Sequence, residues 1–342
     1  MLLRKKISQN SAKTAIALFI TMLLCLNMSA QDAWHKERSM SKREITREIL
    51  ERNISFLSDT LCHGRGTGTA GNVEAAFWLD RAFRELGLMK FGDSYSHKVR
   101  VRPGVVGRNV IGMIPGAISV PRDRYVIVGA HYDHLGTLAG NTYPGADANA
   151  SGTIAMLSIA EMFSYMKDMG KVYESNIIFV AFDAKEAGMA GSQELWDMIS
   201  YGTLKDPITG ESITRDKITL MVNIDQIGSS LSPLHDGRDD YMIMLGTHSL
   251  KHSKRKLLDE CNRKSGIGLD LALDYYGSPN FTQLFYRLSD QKIFVDNRIP
   301  AVLFTSGITM NNNKTWDNVE SLNMHVLQKR IYLIYLWIEE ML

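Results

Sequence analysis

His131 and Asp133 stand two residues apart at the end of an apolar run, residues 125–130, and Asp147 follows in the glycine-bracketed stretch 144–152. Zinc takes imidazole nitrogen and carboxylate oxygen, and a hydrolytic zinc keeps one position open for water. In an extended segment residues i and i+2 share a face. His131 can therefore hold a metal while Asp133 orients its ring from behind. Asp147, in a turn just before a helical stretch, is placed to bring a carboxylate to the same region, where it would bridge two ions about 3.5–4 Å apart. Glu186 and Asp225 add carboxylates from two later apolar runs. Each residue alone has a plainer role. His131 can be a turn histidine, Asp147 with Asn149 and Ser151 a helix cap, Glu186 a loop acid and Asp225 a turn former. Their shared place at strand ends favours the metal site.

The elements that must position them follow from periodicity. Strand-length apolar runs occupy 108–114, 125–131, 176–182, 219–225, 241–245 and 300–305. Helical stretches lie at 43–60, 151–166, 249–264 and 320–341. A further helix over 73–86 carries Val73, Ala76, Phe77, Ala82, Phe83 and Leu86 on one stripe and stops at Gly87. Strands alternating with helices imply an α/β fold, a three-layer α/β/α sandwich around a central mixed, mostly parallel sheet. Ligands of such sheets collect beyond the carboxyl ends of the strands, where His131, Lys185, Glu186 and Asp225 fall.

The wording and order of these segments resemble a known family. The run GAHYDHLG at 129–136, then PGADANASG at 144–152, VAFDAKEAGMAGS at 180–192 and VNIDQIG at 222–228 are similar to the secreted di-zinc aminopeptidases. That superfamily includes the bacterial leucyl aminopeptidases, glutamate carboxypeptidase, the glutaminyl cyclases and the non-catalytic transferrin receptor ectodomain. Segments around 56–71, 285–290, 299–302 and Asp317 extend the resemblance over nearly the whole chain after the first thirty residues. It implies a peptide or protein N-terminus as ancestral substrate. It further implies His131, Asp147 and Asp225 as ligands of a first zinc, Asp147 bridging, with Glu186 on a second zinc and Asp133 behind the histidine.

The same resemblance marks departures. The family carries two adjacent glutamates, a general base and a ligand, where this chain has Lys185 and Glu186. A general base must accept a proton from metal-bound water, and an ammonium begins as an acid. A family histidine ligand four residues before an aspartate is replaced by Asn313, four before Asp317, and an amide oxygen is a poor zinc ligand. Gln291 and Ala148 replace a further histidine and a second aspartate. These losses imply a weakly active or inactive peptidase homologue keeping one zinc, with the Lys185 ammonium near the missing second ion and pairing with Glu186 and Asp147. The alternative is an active mononuclear zinc hydrolase whose water is activated otherwise, by Asp183 or another residue.

The remaining features bound the reading. A formal net charge of +2, with 45% hydrophobic and 22% charged residues, fits a globular chain and gives no argument for nucleic acid. The glycine run 64–71 lacks the lysine of a phosphate loop, so no nucleotide is expected. His248 and His252, at helical spacing among lysines, read as a solvated basic face. Arg4, Lys5, Lys6 and Lys13 before an apolar stretch at 15–26 read as a signal peptide over residues 1–30, leaving 31–342 as one exported, periplasmic or extracellular domain. Cys62 and Cys261 permit one disulfide without requiring it.

Overall fold

The strand-forming runs pair into one large sheet. In the computed structural model, which describes residues 45–117 and 123–342, the strands are β1 (Met89–Lys90), β2 (Ser96–Arg102), β3 (Val105–Ile114), β4 (Tyr125–His131), β5 (Gly136–Leu138), β6 (Asn141–Tyr143), β7 (Asn176–Phe182), β8 (Ile218–Ile224), β9 (Tyr241–Leu245), β10 (Asp270–Ala272) and β11 (Ala301–Thr305). Their order is β1-β3-β7-β4-β8-β11-β9-β10, with β2 also on β3 and β5-β6 a separate hairpin. The central strands β7, β4, β8 and β11 are mutually parallel, as are β9 and β10. Beyond them β3 runs antiparallel to β7, β1 and β2 antiparallel to β3, and β9 antiparallel to β11. The expected mixed sheet is thus parallel at its centre and antiparallel toward its flanks. The expected signal peptide lies outside the described residues.

Every residue of β4 and β7 is buried, which requires cover on both faces. The helices supply it: α1 (Arg47–Ser58), α2 (Ala70–Glu85), α3 (Gly152–Asp168), α4 (Ala190–Ser200), α5 (Leu257–Ser265), α6 (Pro279–Phe285), α7 (Gln291–Asp296) and α8 (Met324–Met341). Alternate strand residues take opposite sides. Ile127, Ile178, Val180 and Met221 pack with Leu195 and Ile199 of α4 and Phe294 of α7. On the other face Phe179 meets Phe163 of α3, and Phe304 meets Trp337 of α8 with ring centroids 5.3 Å apart.

Thr46 and Thr69 cap α1 and α2 by accepting from Ile49 N and Asn72 N. The α2 stripe was read one residue too generously, since Phe77 is 66% exposed while Leu79 and Phe83 are buried. The helix expected over 249–264 begins only at Leu257. Short turns at Thr247–Ser249 and His252–Lys254 precede it, so His248 and His252 share no helical face. Cys62 and Cys261 are both buried, and no disulfide joins them.

The glycine run allows close packing of backbone on backbone. A Cβ on Gly64, at φ +68°, would lie 2.4 Å from the Tyr143 carbonyl oxygen, and one on Gly71 would lie 2.0 Å from that of Cys62. Among the described residues no helix is long and apolar enough to cross a membrane.

Candidate functional site

The carboxyl ends of β4, β7 and β8 deliver His131, the Lys185–Glu186 turn and Asp225 to one place. His131 Nε2 lies 3.3 Å from Asp225 Oδ1, and Ser289 Oγ donates to Asp225 Oδ2 at 2.6 Å. Asp133 does what its spacing suggested and more. Its Oδ1 is 3.5 Å from His131 Nδ1, while its two oxygens accept the backbone N–H groups of Lys185 and Glu186, each at 3.0 Å. One buried carboxylate thereby orients both the imidazole and the turn bearing the lysine.

Lys185 Nζ donates to Glu186 Oε1 at 3.0 Å, with both side chains mostly buried. Burial opposes its charge, but Asp225 and Glu186 outweigh that and hold the ammonium above the usual lysine range. Burial likewise opposes ionisation of Asp225, yet Lys185 and His131 keep its carboxyl well below the usual range. For His131, burial is overcome by the Asp225 carboxylate and its pKa rises to about 10.

Asp147 makes its hydrogen bonds to other groups. Its Oδ1 accepts from Gly228 N at 2.8 Å, Ser229 N at 3.2 Å and Ser151 Oγ at 3.1 Å. Burial and Asp317 raise it to about 7. Asn149 Oδ1 accepts from Gly152 N at the start of α3 and from Gln226 N beyond β8. Of the two partners expected for Lys185, Glu186 is paired with it, while Asp147 is bonded to the Gly228 loop. Asp183, the expected substitute base, is fully buried, and its oxygens accept from Thr67, Asn72, Tyr132 and the Arg108 N–H. It braces β3 against β7 and does not face the cavity. Gln291 is also buried beneath the site, accepting from Asn223 and donating to the Tyr286 carbonyl.

A cavity of about 340 Å³ opens above these groups. Lys185, Glu186 and Asp225 lie at its polar end with Gln226, Asn312 and Asn313, and Tyr275, Phe285, Leu288, Leu303 and Ile308 form the apolar walls. Asn313 stands at φ +57°, a conformation asparagine tolerates. Leu303 comes from β11 and Phe285 from α6, while Tyr275, Leu288 and Ile308 come from loops, whose spacing did not mark them. His134 was also passed over. It is buried with neither ring nitrogen partnered, and burial, Arg65 and His131 push its pKa well below the usual value.

The fold is that of a zinc aminopeptidase-like α/β protein. The sequence profile of Peptidase family M28 matches residues 109–336, and the chain belongs to that family. It is 23% identical to uncharacterised protein YfbL of Escherichia coli over 293 residues, 80% of each chain. It is 30% identical to a probable zinc metalloprotease of Pyrenophora tritici-repentis over 122 residues, 34% of this chain but only 24% of that protein. Its fold is similar to the LapA aminopeptidase of Legionella pneumophila, with TM-score 0.65 at 18% identity over 90% of this chain and 75% of that one.

The family implies zinc, and the side chains can be tested for it. His131 and Asp225 are spaced as two donors would be. Glu186 is bound to an ammonium, Asp147 is held by backbone amides, and among the described residues no group of three or more His, Cys, Asp or Glu is arranged to hold a metal ion. The residues present do not fit a catalytic zinc.

One further buried acid affects stability. Neither carboxyl oxygen of Asp290 has a well-formed hydrogen bond, since the Ser192 hydroxyl beside it donates to the Met189 carbonyl. Burial raises it from 3.8 to about 7. A folded-state pKa above the unfolded one means that stability is greatest below 3.8 and is lost as pH rises through about 7. Asp290→Asn is expected to raise stability above neutral pH by about 1–3 kcal/mol and to flatten that part of the curve. Urea unfolding of both chains across the window checks it, and an unchanged difference at acid and alkaline pH would refute the assignment.

Proposed function

We propose that this chain is an exported member of the M28 family that has lost peptide hydrolysis and acts by binding a ligand in the cavity above Lys185. One observation carries the reading, the 3.0 Å pair between Lys185 and Glu186. An ammonium held this way at neutral pH accepts no proton, and the carboxylate it holds is withdrawn from metal binding. Losing a general base typically costs ~10²–10⁴ in rate. The amide at Asn313 and the engagement of Asp147 by Gly228 and Ser229 remove two more expected donors. In this proposal the Lys185 ammonium stands in place of the zinc that the family implies, since among the described residues no group of three or more His, Cys, Asp or Glu is arranged to hold a metal ion. The mononuclear hydrolase alternative needs a base, and Asp183 is committed to structural bonds.

The test is hydrolysis of a leucine anilide by the purified protein with zinc or cobalt added, together with metal analysis after dialysis. We expect turnover at the buffer rate and well under one zinc per chain. Steady hydrolysis, or two tightly held zinc ions, would sink the proposal. Export is checked by fractionating the native cells and sequencing the mature N-terminus.

A further inference from the structure

Every charged head at the polar end of the cavity already has a protein partner. Lys185 is paired with Glu186 at 3.0 Å. Asp225 has one oxygen 3.3 Å from His131 Nε2 and the other bonded to Ser289 Oγ at 2.6 Å. An incoming ammonium would meet a Glu186 already neutralised by Lys185, and an incoming carboxylate a Lys185 already neutralised by Glu186. Either would bring a desolvated charge to a pair that is already balanced. The rest of the polar end is amide and hydroxyl. Gln226 Nε2 donates to Asn312 Oδ1 at 2.5 Å, and Asn313, Thr305 and Ser289 lie beside them. Opposite them the rings of Tyr275 and Phe285 meet at a tilt of 32° with centroids 4.0 Å apart, and the Ile308 N–H donates to the Tyr275 hydroxyl at 2.9 Å, tying the loop to the aromatic wall. The volume of about 340 Å³ suits a small ligand with one apolar group.

We propose that the cavity takes an uncharged, amide-bearing ligand with an apolar body, of the class of N-acylated amino-acid amides and blocked peptide segments, and selects against free amines and free carboxylates. The amide side chains meet the ligand's peptide groups, Tyr275 and Phe285 cover its side chain, and the Lys185–Glu186 pair remains closed beneath it. This rests on the metal-free reading of the site, because a zinc ion there would add unbalanced positive charge.

Three probes of one shape separate the cases: N-acetyl-phenylalanine amide, which is neutral, phenylalanine amide, a cation, and N-acetyl-phenylalanine, an anion. Titration calorimetry on the full chain should give the neutral probe a Kd at least about tenfold below the other two. Lys185→Met should promote the cation to first place by freeing Glu186, and Glu186→Gln should promote the anion by freeing Lys185. The reordering in opposite senses is a readout that general loss of folding does not produce. A native preference for either charged probe, equal affinity for all three, or no binding at millimolar concentration would overturn the proposal. Zinc content measured on the same sample keeps the two readings apart. Stoichiometric zinc with the neutral probe still first defeats the metal-free reading alone, whereas a zinc-free chain preferring the amine defeats this inference alone.

Discussion

Arg65→Met is expected to destabilise the fold by about 3–5 kcal/mol. Arg65 is fully buried and forms no direct ion pair, and burial lowers its pKa to about 10, so it stays charged near neutrality. Its guanidinium donates to four backbone carbonyls: Tyr132 at 2.6 Å, Leu57 at 2.5 Å, Pro144 at 2.7 Å and Gly145 at 2.8 Å. Those carbonyls belong to the end of α1, the turn after β4 and the turn before Asp147, three segments that no secondary structure joins. Removing the fork leaves buried acceptors unpaired, and each typically costs about 1–3 kcal/mol. Methionine fills similar volume, so the loss reports hydrogen bonding rather than a cavity. Arg65→Lys should recover only part, since a point ammonium cannot span three segments. Urea midpoints at equal m-value measure it, and a loss under about 1 kcal/mol would show that the carbonyls find other partners.

The strands were legible because β-branched runs bounded by polar residues leave little choice. The runs read at 125–131 and 241–245 match Tyr125–His131 and Tyr241–Leu245. Helix α4 was not read, because its segment follows directly on the Lys185–Glu186 motif and its buried positions are only Gly191, Ser192, Leu195 and Ile199. In the site, His131, Asp133 and Asp225 fell where spacing put them, since each sits at or just beyond a strand end whose direction the sheet sets. Asp147 did not. Its position in a tight turn leaves its carboxylate direction to the loop at Gly228 and Ser229, some eighty residues on, and spacing carries no information about that. Arg65 was invisible for the same reason, because a side chain that bonds only to distant carbonyls has no local signature.

The same geometry sharpens what a restored site requires. The largest gain is expected from Ala148→Asp, Lys185→Glu and Asn313→His combined, which should take up zinc and hydrolyse a leucine anilide ~10² -fold or more above the native chain. Lys185→Glu alone frees Glu186 and adds a proton acceptor, but it also places uncompensated negative charge beside Asp225. Asn313→His adds an imidazole at the rim of the same cavity. Ala148→Asp is needed because Asp147 is engaged, and the buried neighbouring methyl is the nearest place to add a carboxylate. Without metal this variant concentrates like charge in a buried site, so it should be less stable than the native chain. Zinc should then raise its melting temperature with concentration, as expected of a ligand that binds only the folded state. The native chain should show no such rise. That contrast reads metal binding independently of turnover, and a folded triple variant whose melting is indifferent to zinc would show that these three positions do not account for the lost chemistry.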